Sequence, residues 1–359
     1  QNGTPAAEVE VDPAPVKIRK TKNVSIKMMT GTSSWRLESK SDIDKYIEYA
    51  KTTKINAFVV NIMDGTSIGY DSPVYEEYSP TAYQYAQNSV ADYQAVIQKI
   101  KDAGFYVIGR LTTFNDSFFC QDHPEYAIAD GSGESLYVAA SYWPSAFCRY
   151  VWEYKVALAI DAVQTMGFNE IQFDYVRFPD NTDQYEASGD IDFRNEYGET
   201  KAQAIQRFLM YATDILHEYG VYVGADVFGE TSGNYVTAYG QYWPAISNVV
   251  DVISGMPYPD HFARNGAYRP WEHPYETLLD WAESAAKRQA ETPTPAVDRT
   301  WIQAYNAIQP PYNEYGVQEI GDEIRALREE GLTGGFMAWN ASCSLTKLEE
   351  LRPLYEALE

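Results

Sequence analysis

The segment TMGFNEIQFDYVRFPD, residues 165–180, holds the unit on which the fold reading turns. Residues Val156–Met166 before it read as a helix. Gly167 stands where a glycine at C′ stops a helix. Glu170–Val176 then reads as a buried strand. Helix, glycine and apolar strand in that order make the αβ unit of a parallel sheet.

The unit recurs in both directions along the chain. On the N-terminal side, Val24–Met29 reads as a first strand. A helix follows, with Ile43, Tyr46, Ile47 and Ala50 at helical spacing behind the capping candidates Ser41 and Asp44. Ile55–Met63 is a second strand, ending at Asp64-Gly65. A helix carrying Tyr93, Val96, Ile97 and Ile100 stops at Gly104, and Phe105–Leu111 follows. On the C-terminal side come a helix around Ile205–Tyr219, strand Val221–Phe228, a weak segment Tyr242–Val250 and strand Val252–Met256. A helix around Leu278–Ala290 precedes Thr300–Tyr305, and one around Val317–Leu327 precedes Gly334–Trp339. A last helix, Leu345–Leu358, is weakened by Pro353. Eight such units, with no Gly-rich phosphate turn after the first strand, predict a single (β/α)8 TIM barrel. Residues 65–88, 112–150 and 177–199 are long loops expected on its C-terminal face, where barrel enzymes bind substrate.

The chain has 359 residues and a formal net charge of −23, which opposes contact with nucleic acid or other polyanions. Its 30 tyrosines and 8 tryptophans offer flat faces on which sugar rings stack. Residues 1–22 are rich in Pro, Ala, Glu and Val. They read as a flexible tether left by a removed export signal, with residues 23–359 as one barrel domain in an extracellular or surface-anchored protein. No apolar run is long enough to span a membrane. Cys120 and Cys148 flank one long loop and are a candidate disulfide; Cys343 is the third cysteine. The sequence leaves the oligomeric state open.

A barrel strand delivers its last inward side chain to the active-site face. Asp174 is a charge inside an otherwise apolar strand, where an unpaired ion costs several kcal/mol. Arg177, three residues on, is the expected ion-pair partner. Asp226 holds the equivalent place on the next strand. Neighbouring strands lie about 4.8 Å apart, so the two carboxyls could sit about 5 Å apart, the spacing of a retaining glycosidase. Glu230 and Asp260 are rival acids. Asp64, Asn115, Asp116, Arg177, Gln303 and Asn340 are candidate hydroxyl-binding or orienting groups. Tyr175, Phe228, Tyr258, Trp301 and Trp339 are candidate stacking surfaces. The 4 histidines show no zinc spacing, and His217 reads as a surface or capping residue. No cofactor or metal is expected, although acidic loops around Asp64, Asp116 or Asp180 leave room for an oxygen-ligated cation.

The run EIQFDYVRFPD (170–180) resembles the signature of the glycoside hydrolase family DUF4015. NAFVVNIMDG (56–65), YVIGRLTTFND (106–116) and VGADVFG (223–229) are similar to further segments of it, and the resemblance covers about residues 24–345. It implies a TIM barrel distantly similar to α-amylase-like hydrolases. There a fourth-strand Asp is the nucleophile and a fifth-strand carboxylate the acid/base, which implies Asp174 for the first role and Asp226 or Glu230 for the second. One departure stands out: family members often carry Lys-Asp at the second strand end, where this chain has Met63-Asp64. The expected function is cleavage of a glycosidic bond in an extracellular polysaccharide or oligosaccharide. The alternative is a barrel that binds carbohydrate without turnover.

Overall fold

The computed structural model describes residues 3–5, 32–38 and 42–358. The expected strand Val24–Met29, the capping candidate Ser41 and residues 6–22 of the expected tether lie outside the described residues. Gly3–Pro5 pairs antiparallel with Tyr235–Thr237.

Eight parallel strands alternate with helices. The strands are β1 (Thr32–Leu37), β2 (Ala57–Asp64), β3 (Tyr106–Thr112), β4 (Glu170–Asp174), β5 (Tyr222–Phe228), β6 (Val252–Met256), β7 (Thr300–Gln303) and β8 (Gly335–Trp339). They follow chain order around the sheet, and β8 returns to pair with β1. Val297–Asp298, just ahead of β7, pairs with β6 and closes the ring. Among the described residues, the first barrel strand is Thr32–Leu37, which the sequence reading did not pick out. Its Thr-Ser-Ser start conceals it from a hydrophobicity reading, because these polar residues are buried in the barrel.

Besides short helices in the loops, the helices that follow the strands include α1 (Ile43–Lys51), α2 (Val90–Asp102), α3 (Arg149–Met166), α4 (Lys201–Glu218), α5 (Trp243–Ser247), α6 (Pro274–Glu291) and α7 (Val317–Glu329). The closing segment splits, as Pro353 requires, into α8 (Leu345–Glu350) and α9 (Arg352–Ala357). Gly167 ends α3 in the left-handed region at φ 71, which costs a glycine nothing. The weak segment before β6 proves to be the short α5. His217, expected at the surface, is buried on α4, and its Nε2 lies 2.7 Å from Asp251 Oδ2. Cys120, Cys148 and Cys343 are free thiols, so the candidate disulfide is not formed. Among the described residues, no helix is long and apolar enough to cross a membrane.

Strand alternation sorts the side chains into two layers. Phe58, Val60, Ile171 and Phe173 pack outward into the main core with the helices. Ala57, Val59, Tyr106, Ile108, Trp301 and Met337 form a second apolar cluster inside the barrel. Near its floor, Arg299 pairs with Glu170 at 3.0 Å, and Tyr106 donates its hydroxyl to the same carboxylate at 3.0 Å.

Candidate active site

The inward face of β4 is polar at every position: Glu170, Gln172, then Asp174 at the mouth. Asp174 is 5 % exposed. Its partner is not Arg177 but Arg110 of β3, whose Nε and Nη2 donate to Asp174 Oδ2 at 3.0 and 2.5 Å. The Tyr175 backbone N–H donates to Oδ1 at 2.6 Å. Three N–H donors thus fix the carboxylate.

Arg177 fails as the partner because the chain turns away at the strand end. Tyr175 adopts φ 50, a strained conformation for a non-glycine residue. Arg177 then lies 4.2 Å over the Phe228 ring and 4.9 Å from Trp143, and pairs with Asp180 at 3.2 Å.

The register of β5 on β4 pairs Ala225 with Phe173, which sets Asp226 level with Asp174. Asp226 is completely buried. Trp301 Nε1 donates to Asp226 Oδ1 at 3.0 Å, while Oδ2 has no hydrogen-bond partner among the described residues. Burial, reinforced by the Asp174 charge, raises the Asp226 carboxyl well above the usual carboxylate range. Arg110 opposes the shift without overcoming it.

Asp64 completes the cluster. A bulge in β2 between Asn61 and Met63 inserts one residue. The alternation slips by one, so Asp64 faces the mouth and Met63 is buried toward α3, with Lys155 Nζ 3.5 Å from its sulfur. A lysine at position 63 would project away from the mouth, so the departure from Lys-Asp removes no group from this face. Asp64 pairs with Arg110 at 3.2 Å and with Arg36 of β1 at 3.2 Å. Burial opposes its ionisation, but the two guanidiniums hold its carboxyl below the ordinary range. Both guanidiniums also face the half-buried Trp339 ring, Arg36 at 4.6 Å and Arg110 at 5.1 Å.

Apart from Trp301 and Tyr175, which donate to Asp226 and Asp174, most of the other candidates find their partners outside this cluster. Glu230 sits on an exposed turn and accepts from the hydroxyls of Tyr235 and Tyr239, each at 3.0 Å. Asp260 accepts from Tyr305 at 2.9 Å and from the Ile308 N–H at 3.2 Å. Asp116 is buried against Lys155 at 2.7 Å and caps a short helix through the Phe119 N–H. Gln303 accepts from the Asp260 N–H, and Asn340 donates to Ala304 O. Asn115 remains half-buried on the mouth side, where Ser141 donates to it at 2.8 Å. Trp301 and Tyr258 are buried inside the barrel and offer no open face. Tyr175 and Phe228 are half-buried against Arg177. The carboxylates considered for a cation are separately engaged, Asp116 by Lys155, Asp180 by Arg177 and Asp64 by two arginines. No group of three or more His, Cys, Asp or Glu suited to a metal occurs among the described residues.

Sequence reasoning missed Arg110 and Arg36. Arg110 carried the same signal as Asp174, a lone charge inside an apolar strand.

The sequence profile of DUF4015, described as "Putative glycosyl hydrolase domain", matches residues 31–345. The chain belongs to this family. Solved structures agree on the fold. The glycoside hydrolase domain of PgaB (BpsB) from Bordetella bronchiseptica aligns with TM-score 0.63 at 15 % identity, over 92 % of this chain and 100 % of that one. The C-terminal domain of a putative chitinase from Desulfitobacterium hafniense DCB-2 aligns with TM-score 0.54 at 11 % identity, over 91 % and 99 %. A hypothetical protein from Ruminiclostridium thermocellum ATCC 27405 is 32 % identical over 54 % of this chain and 97 % of its own, with TM-score 0.45. No curated protein matches. Membership of this family supports a glycosidase-like function for the barrel, and its cluster of Asp174, Asp226, Asp64 and Arg110 occupies the face where barrel enzymes act.

Proposed function

We propose that this protein hydrolyses glycosidic bonds of a polysaccharide or oligosaccharide outside the cell, with Asp174 as nucleophile and Asp226 as acid/base. One observation carries the reading. Two level carboxyls on adjacent strands have opposite surroundings, Asp174 facing three N–H donors and Asp226 buried with one oxygen unpartnered among the described residues. Export rests on the composition of residues 1–22.

The chemistry follows from those surroundings. Asp174 Oδ1 accepts one hydrogen bond and keeps a lone pair for attack at the anomeric carbon. Burial favours the protonated form of Asp226, and its Oδ2, unpartnered among the described residues, is the atom assigned to protonate the glycosidic oxygen. As the bond breaks, Asp174 becomes a glycosyl ester and Asp226 an anion. The pair carries one negative charge before and after, and Arg110 of β3 stabilises it, donating to Asp174 and acting electrostatically on Asp226. Water then hydrolyses the ester, returning its proton to Asp226. Adjacent strands lie about 4.8 Å apart, close to the roughly 5–5.5 Å of retaining enzymes.

The test is hydrolysis of a polysaccharide panel, followed by proton NMR of the first product anomer. Retained configuration supports Asp174 as nucleophile. Inversion rules out that role, and failure to release reducing ends from any glycan contradicts the hydrolase reading.

A further inference from the structure

Residues 137–142 form a small hairpin in the loop between β3 and α3, with Tyr137 opposite Tyr142 and Val138 opposite Ser141. Its turn holds Ala139 at φ 47 and Ala140 at φ 58, conformations that Asn and Gly adopt far more easily. The two faces of the hairpin differ. Val138 and Ser141 are buried. The Ser141 hydroxyl donates to Asn115 Oδ1 at 2.8 Å, beside the Asp64 turn, and lies 2.9 Å from Ser117 Oγ. Trp143 donates its indole N–H to Val138 O at 2.9 Å, and its ring is 5.9 Å from Tyr175, the residue after Asp174. The hairpin is thus fastened to the site.

The opposite face carries Tyr137, 58 % exposed, and Tyr142, 37 % exposed, with ring centroids 5.1 Å apart. The strip continues along the rim. Ser117 accepts from the Tyr142 N–H at 3.1 Å, and the next residue, Phe118, stacks at 4.9 Å on Tyr85, which is 61 % exposed. Large apolar faces left in water beside a binding mouth mark a contact surface. Residues 113–148 contain no Lys or Arg, so the loop brings no cation to meet an anionic substituent.

We propose that Tyr85, Tyr137 and Tyr142 form an aromatic platform that binds a neutral glycan chain beyond the catalytic mouth. This rests on the glycosidase reading and deepens it: the substrate is a chain long enough to span mouth and rim. Each ring offers a flat face to a pyranose, and the tied-down face of the hairpin keeps two of the rings in place.

Native affinity gels containing glycol chitin, hydroxyethylcellulose, soluble starch or carboxymethylcellulose test it. The parent is Asp174→Asn, which removes turnover. At least one of the neutral polymers is expected to retard the parent. Adding Tyr137→Ala and Tyr142→Ala should raise the apparent Kd at least about tenfold, while adding Tyr137→Phe and Tyr142→Phe should keep most of the binding. Thermal melting of each variant checks folding. No retardation by any neutral polymer, equal retardation of the parent and the folded double-alanine variant, or retardation by carboxymethylcellulose alone overturns the platform. Reducing-end release by the wild-type protein is read separately. Tyrosine-dependent retardation without any hydrolysis keeps the platform and sinks the hydrolase reading. Hydrolysis with tyrosine-independent retardation does the reverse.

Discussion

Arg110 donates twice to a single oxygen of Asp174, through Nε at 3.0 Å and Nη2 at 2.5 Å, and reaches Asp64 with Nη1 at 3.2 Å. One buried guanidinium therefore orders the carboxylates of two strands from a third.

Removing that cation strands the anions around it. Arg110→Met is expected to cost about 3–5 kcal/mol of stability, because it leaves buried charge uncompensated. Arg110→Lys restores the charge but not the fork, so it should recover part of that loss. Urea denaturation measures both. Unchanged stability in the methionine variant would show that Arg110 does not hold this cluster together.

In its proposed role as acid/base, Asp226 sets a pH limit on activity. Its folded-state pKa is raised, so it acts as an acid below that value and fails as pH rises through it. Wild-type kcat/KM should therefore fall on the alkaline side. In Asp226→Asn, that limb should vanish and turnover of unactivated glycosides should drop roughly 10²–10⁴-fold. Aryl glycosides with acidic leaving groups should be much less affected. An unchanged alkaline limb in the variant would assign the limb to another group.

Arg177 and Asp174 show how far the sequence could be read. The charge inside β4 was legible, because a lone ion in an apolar strand demands a partner. Sequence proximity then suggested Arg177, but the left-handed turn at Tyr175 carries it onto Phe228. The true partner is 64 positions away in sequence and adjacent only through β3–β4 pairing. Helix-stopping glycines and outward apolar residues made seven of the strands readable. β1 was not, since a strand that buries Thr32, Ser33, Ser34 and Arg36 beside Trp35 and Leu37 shows no clear hydrophobic run. The β2 bulge that turns Asp64 inward leaves no mark on composition.

Asp298, between β6 and β7, gives a stability prediction outside the site. Burial pushes its carboxyl up to about 6, above its unfolded value of 3.8. Its stabilising contribution is present in full below pH 3.8 and is lost as pH rises through 6. The wild-type protein should therefore lose stability relative to Asp298→Asn between pH 4 and 8, by about 2–3 kcal/mol. Chemical denaturation at the two pH values tests this, and a constant difference would contradict it.

Arg177 is expected to hold the loop after β4 without serving Asp174. Arg177→Ala removes its contacts with Phe228 and Trp143 and should cost about 1–2 kcal/mol. Asp180→Asn removes only a half-exposed partner and should cost less than about 1 kcal/mol. Thermal melting of both variants compares them. Equal losses would place the role of Arg177 in the ion pair and not in the aromatic contacts.

The central claim is that Asp174 is the working carboxylate. Reducing-sugar release from a polysaccharide panel by wild type and Asp174→Asn tests it most directly, because the substitution keeps shape and removes charge. The account predicts a glycan that wild type cleaves and the folded variant cleaves at least about 10³-fold more slowly. Equal cleavage by both proteins would make Asp174 a structural ion and contradict the account.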